Sequence, residues 1–181
     1  MKTITLVTGN PAKLREWQRL LPAKYNLESL DVELPEIQSL DPEVIVADKA
    51  KRAFELTGKP VVVEDIAAGL DELNGLPGPF IKFFIKAMGE NALYQLASED
   101  GVAAAVTCAI GYHDGEHNFT VKVAVQGKVY SARGENGFGF DKCFVVDGQD
   151  LTYGEMSHDQ KDAISHRAQA MKLFWEAFDN V

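Results

Sequence analysis

Three groups of residues have types and spacings that could do chemistry. The first is Thr8-Gly9-Asn10 with Lys13 and Glu16, where an apolar run meets a helical pattern. Asn10 suits a helix cap and Pro11 the first helical position. Free amides and the helix dipole at such a start favour an anion, Gly9 lets backbone approach it, and Lys13 can reach a phosphate. A plain capped junction with a solvated lysine reads the same way, and the Walker spacing is absent. The second group is Glu64-Asp65 behind Val61-Val62-Val63. Carboxylates at the C-terminal end of a buried strand lie where α/β sheets place ligands. Successive strand residues alternate faces, so only one of the two enters a given site. A hard cation takes one or two carboxylates plus substrate phosphates. Glu33 and Glu36 are the candidates for a second acid, or else belong to a solvated loop. The third group is Phe138-Gly139-Phe140-Asp141 with Lys161 and Ser165-His166-Arg167. Aromatics beside glycine offer a platform for a flat ring, and arginine supplies fixed donors for a carbonyl edge. A core aromatic pair beside an amphipathic helix is the alternative.

The elements that must position these residues can be read from periodicity and punctuation. Thr3–Val7 is a buried strand that feeds a helix carrying Leu14, Trp17, Leu20 and Leu21 on one stripe. Asp41-Pro42 opens a second helix, which Gly58 stops near Leu56. Pro60–Glu64 is a short strand ending in the acids, and Pro79–Met88 and Asn91–Ala97 are helices. Val102–Tyr112 and His117–Val125 flank Asp114-Gly115, a hairpin turn signal. A glycine-rich loop, Gly134–Gly139, precedes a short strand at Cys143–Val146. One long helix, His158–Phe178, closes the chain, with Ser157 and Gln160 as a capping box. Its stripe of Ile164, Ala168, Met171, Trp175 and Phe178 puts Arg167 at the edge of the buried face. The pattern predicts a mixed α/β fold with a long antiparallel hairpin, and with no repeat or linker dividing it.

The whole-chain numbers narrow the partners. A length of 181 residues, 46% hydrophobic and 25% charged, predicts one globular domain over residues 1–181. The N-terminal apolar run is too short for a signal peptide and no run reaches membrane-span length, so the expected compartment is the cytoplasm. A net charge of −9 with no block of basic residues argues against nucleic acid polymers and anionic membranes. A small anion remains compatible where a few lysines, or a cation, accompany it. Cys108 and Cys143 lie in no paired spacing and read as buried thiols, not a disulfide or zinc site. His113 and His117 flank a turn without a matching acid cluster.

In their order along the chain these segments resemble one family. They are Thr8-Gly9-Asn10-x-x-Lys13, Leu34-Pro35-Glu36-Ile37-Gln38, Glu64-Asp65, Leu76-Pro77-Gly78-Pro79-Phe80-Ile81-Lys82, Phe138–Asp141, Thr152–Met156 and Lys161 with Ser165-His166-Arg167. Any one is weak; together they are similar to the inosine triphosphate pyrophosphatases, which cleanse the nucleotide pool of deaminated purines. The resemblance implies an elongated two-lobed fold around a central mixed sheet, with the active site in the cleft between the lobes. It implies a homodimer that needs Mg²⁺ and converts ITP, dITP or XTP to the monophosphate and pyrophosphate. By resemblance, Thr8, Gly9, Asn10 and Lys13 cradle the triphosphate, and Lys49 and Lys82 add phosphate contacts. Glu36 and Asp65 hold the metal, with Asp65 also the base for the attacking water. Phe138, Gly139, Phe140 and Asp141, with Lys161, His166 and Arg167, enclose the purine. Two departures stand out: Ile66 where the family carries a hydroxyl residue, and Lys142 where it carries proline. Ile66 keeps open a nucleotide-binding protein with weak turnover, and a pyrophosphatase for another nucleotide such as dUTP is a second alternative.

Overall fold

The computed structural model describes residues 2–181. The chain runs β1 (Lys2–Val7), α1 (Pro11–Leu20), β2 (Tyr25–Leu30), α2 (Pro42–Thr57) and β3 (Val61–Leu70). It continues through β4 (Pro77–Gly78), α3 (Ile81–Met88), α4 (Ala92–Gln95), β5 (Val102–His113) and β6 (Asn118–Val129), then β7 (Phe144–Val146), α5 (His158–Ile164) and α6 (His166–Phe178). The seven strands make one sheet in the order β2-β1-β3-β5-β6-β7, with β4 beside β3. β1 runs parallel to both β2 and β3, whereas β4 and β7 pair antiparallel with β3 and β6. The fold is therefore mixed α/β, as the sequence pattern predicts.

Local chemistry explains where the elements begin and turn. The Asn10 carboxamide accepts from the amides of Ala12 and Lys13 at 2.9 and 3.3 Å, capping α1, and Pro11 needs no partner there. Asp41 caps α2 by accepting from Glu43 N–H at 2.9 Å, and Gly58 ends it in the left-handed region at φ 63°. The β5–β6 hairpin turns on Asp114, whose Oδ1 accepts from the amides of Glu116 and His117 at 2.9 and 2.6 Å. The predicted capping box is present: Ser157 accepts from Gln160 N–H and the Gln160 side chain accepts from Ser157 N–H.

Contacts divide the chain into two compact units. The first holds the chain up to Asp65 with Ala109–Lys122 and Ala168–Val181; the second holds Ile66–Cys108 and Val123–Arg167. In the first, Val7, Val46, Ala50, Val61 and Val63 form one apolar cluster. Trp17 meets Phe174 and Trp175 edge-on, at 5.9 and 6.2 Å, while Tyr25 stacks on Trp175 at 4.8 Å. In the second, Leu70, Ile81, Leu93, Val106, Val129, Phe140, Phe144 and Tyr153 make the core, and Ile66 packs against it. Both cysteines are buried free thiols. Cys143 Sγ donates to Asn91 Oδ1 at 3.2 Å, and burial pushes its pKa up to about 11.

Four features depart from the sequence pattern. β3 does not stop at the acids; it continues to Leu70, pairing Ala68 and Gly69 with Gly78 and Pro77 of β4. That pairing needs glycine at position 69, where an added Cβ would lie 1.9 Å from the Gly75 carbonyl oxygen. β2 is an unforeseen edge strand, mostly exposed, beside β1. The closing helix is two helices: Ser165 is extended (φ −68°, ψ 154°) and separates α5 from α6. The predicted Asn91–Ala97 helix shrinks to the single turn Ala92–Gln95. No helix among the described residues is long and apolar enough to cross a membrane.

Candidate active site

In the first unit the β1–α1 junction faces the acidic strand through one carboxylate. Lys13 and Trp17 lie four residues apart on α1, hence on one face of it. Lys13 Nζ sits 3.4 Å from Glu64 Oε1 and 3.4 Å from the Glu64 carbonyl oxygen. Trp17 Nε1–H donates to Glu64 Oε2 at 2.7 Å. Glu64 and Asp65 are both buried, at 4% and 5% exposure. Strand alternation sends Asp65 to the opposite face of β3, so the carboxylate beside Lys13 is that of Glu64. The expected row of open amides at the helix start is not what the junction offers. Asn10 N–H donates to Thr8 Oγ1, those of Ala12 and Lys13 go to the Asn10 side chain, and that of Leu14 goes to the Asn10 carbonyl. The flexible cation at this junction is Lys13.

Lys49 and Glu36 form a second pairing in the same unit, 2.9 Å apart and both about one-fifth exposed. Lys49 is fixed by α2, and the cap of that helix is itself tied down. Lys122 Nζ lies 2.9 Å from Asp41 Oδ1 and 3.2 Å from Glu43 Oε2. The Lys122 ammonium, with the Glu43 amide, holds the Asp41 carboxyl below its usual range.

The second unit gathers the third group. Asp141 Oδ2 accepts from Lys161 Nζ at 2.7 Å and from Phe138 N–H at 2.8 Å. Lys161 lies 5.4 Å from the ring centres of both Phe138 and Tyr153, and the Arg167 guanidinium 5.6 Å from that of Phe138. His166 packs against Phe140 at 5.8 Å and Tyr153 at 5.9 Å. The loop closes around Gly137 (φ +76°), where a Cβ would fall 2.2 Å from Asp141 Oδ2. Lys161, His166 and Arg167 are 3%, 2% and 1% exposed. This corrects the expected placement of Arg167 at the edge of a continuous helix: the break at Ser165 turns the whole His166–Arg167 pair inward. Lys82 lies on α3 with its ammonium 5.0 Å from the Phe83 ring and its side chain exposed. Lys142, at the position where proline was expected, sits 3.3 Å from Glu90 and 3.5 Å from Glu135, an exposed pairing.

The donor chemistry suits a hard cation: Glu36 and Asp65 offer carboxylate oxygens only, without competing thiol or imidazole. No group of three or more potential metal-ligating side chains occurs among the described residues. In kind, though not as an assembled site, two carboxylates are the donors a Mg²⁺ arriving with a phosphate would take. Sequence reasoning missed the role of Trp17, placing it only on the apolar stripe, because an indole N–H aimed at a carboxylate leaves no signature in spacing.

Comparison with known proteins bears on the family and the fold. The sequence profile of the Ham1 family matches residues 4–177. The chain is 37% identical over 179 residues to an inosine triphosphate pyrophosphatase from Schizosaccharomyces pombe, covering 96% of this chain and 94% of that one. Among solved structures, a HAM1 protein from Coxiella burnetii superposes with a TM-score of 0.82 at 25% identity over 100% of both chains. A nucleoside-triphosphatase (dITP/XTP pyrophosphatase) from Mycobacterium abscessus does so with a TM-score of 0.71 at 28% identity, covering 95% of this chain and 98% of that one. The chain belongs to the Ham1 family.

Proposed function

We propose that the chain, acting as one domain over residues 1–181, hydrolyses deaminated purine nucleoside triphosphates (ITP, dITP and XTP) to the monophosphate and pyrophosphate. The observation that carries this reading is the near-full-length similarity to relatives named for that activity. The placement of cations supports it from the geometry. A protein of net charge −9 can take a polyanion only where positive groups are concentrated. Lys13 and Lys49 in the first unit, and Lys82 in the second, would bind phosphate oxygens, with Thr8, Gly9 and Asn10 shaping the backbone against them. Glu36 and Asp65 would hold Mg²⁺, which supplies charge neutralisation on the phosphates when bound.

Asp65 would orient the water and accept its proton as oxygen attacks the α-phosphorus. The bond to the bridging oxygen then breaks and pyrophosphate departs, its charge met by the lysines. Phe138, Gly139, Phe140 and Asp141 would receive the purine ring together with Lys161, His166 and Arg167. Among them Lys161 and Arg167 carry N–H donors, which match the 6-oxo group of hypoxanthine and xanthine and offer adenine's amino group no acceptor. We further propose a cytoplasmic homodimer with a nucleotide, and no polymer or membrane, as its partner.

Pyrophosphate and orthophosphate release from ITP, followed with Mg²⁺ and with excess chelator, tests the reading. Pyrophosphate in a single step, lost on chelation, is the expected result. Orthophosphate appearing first, with the diphosphate as an intermediate, would refute attack at the α-phosphorus. Binding of ITP without turnover would instead identify a nucleotide-binding protein, and faster turnover of dUTP than of ITP a different substrate class.

A further inference from the structure

The Glu64 carboxylate is shared unequally. Its short bond, 2.7 Å, goes to the neutral indole of Trp17, while the Lys13 ammonium stands off at 3.4 Å. Charge-assisted N–H···O bonds ordinarily close to about 2.7–2.9 Å, so the lysine is held loosely and the indole tightly. Trp17 is itself enclosed: it is fully buried, with Phe174 and Trp175 packed edge-on against it. The lysine, by contrast, keeps 18% of its side chain exposed. The amides of Asn10, Ala12 and Lys13 are engaged by side chains of the junction, and Lys13 is the flexible cation there that can shift toward an anion.

We infer that Trp17 is a positioning residue that acts through Glu64 on Lys13. Its N–H occupies Glu64 Oε2 and fixes the carboxylate, so that the carboxylate cannot turn to clasp Lys13 in a close pair. The ammonium is thereby kept near the strand yet available to a phosphate chain. This inference rests on the reading of the Thr8–Lys13 junction as a phosphate site. Removing the indole N–H while keeping the ring lets Glu64 close on Lys13 and sequesters the cation from the ligand.

The experiment uses two replacements of the full-length protein: Trp17→Phe, and substitution of the Trp17 indole by its benzothiophene isostere, which keeps the shape and lacks the N–H. The second keeps the test valid where the smaller phenyl ring loosens the core. Two readouts are taken, calorimetric binding of inorganic tripolyphosphate without metal and steady-state ITP hydrolysis. The expected result is a tripolyphosphate Kd and an ITP KM raised about three- to tenfold, with kcat nearly unchanged. In a Lys13→Met background the same replacements should have no further effect on Kd, because the residue they act through is gone. A purely structural role predicts equal losses in both backgrounds, and that additivity would overturn the inference. So would unchanged Kd in the isostere. Tripolyphosphate binding does not depend on which nucleotide is the substrate, so a parent protein that binds it yet leaves ITP intact refutes the function reading alone. A parent that fails to bind tripolyphosphate refutes the inference.

Discussion

Asp65 and Arg167 are the two side chains whose replacement separates chemistry from recognition. Asp65→Asn is nearly isosteric, and at this buried strand position it removes a charge and a proton acceptor together. General-base assistance is typically worth about 10²–10⁴-fold, so kcat should fall by at least that factor while thermal unfolding moves little. A variant within a few-fold of the parent would move the base to Glu64, the acid on the other face of the strand. Arg167 demands a different control, since it is buried to 1% exposure with its guanidinium over the Phe138 ring. Arg167→Ala should lower kcat/KM for ITP about ten- to a hundredfold, the value of a charge-assisted hydrogen bond. It should change the slow ATP rate far less. Equal losses for the two nucleotides would make Arg167 a phosphate-binding or structural residue, and a melting curve taken alongside tells those two apart.

At the scale of elements, the hairpin turn and the glycine loop are the parts most exposed to a single substitution. Asp114 is desolvated in the turn, which by itself would raise its pKa. The amides of His117 and Glu116 and the Tyr112 hydroxyl outweigh that and bring it down to about 2. A carboxyl depressed in the folded state stabilises it at pH values above the unfolded pKa, about 3.9, and loses that contribution as pH falls toward 2. Asp114→Ala should therefore cost about 1 kcal/mol at pH 7 and clearly less near pH 2; urea unfolding at the two pH values measures the difference. An equal cost at both would assign the effect to packing. Gly137→Ala should raise KM for ITP, because its Cβ would push Asp141 off Lys161 and the Phe138 amide. The sequence showed some of these elements clearly and others not at all. Caps and turns, such as Asn10, Asp41, Asp114 and Ser157, were legible because each is a local bond between neighbours in the chain. The extension of β3 was not, since Ala67-Ala68-Gly69 has low strand propensity and is held by β4. Nor was the break at Ser165, because the Ile164–Ala168 spacing suits an unbroken helix. The pairings of Lys13 with Glu64, Glu36 with Lys49 and Asp141 with Lys161 join residues remote in sequence, and only the folded chain brings them together.

For the whole molecule, the proposed homodimer is tested by sedimentation: the mass should be twice the 19.9 kDa of one chain, and a monomer at micromolar concentration would refute it. The two buried thiols give access to a different property of the molecule. With a pKa near 11, Cys143 carries a thiolate on only about one molecule in 10⁴ at neutral pH, and Cys108 is equally enclosed. Neither can meet a solvent-borne reagent until its surroundings part. Both belong to the second unit, so the rate at which an excess of alkylating agent consumes them is a clock for the opening of that unit, readable by mass in the unmodified protein. A bound nucleotide that engages Phe138 and Arg167 should slow that clock, and would report on recognition of the base with no turnover required.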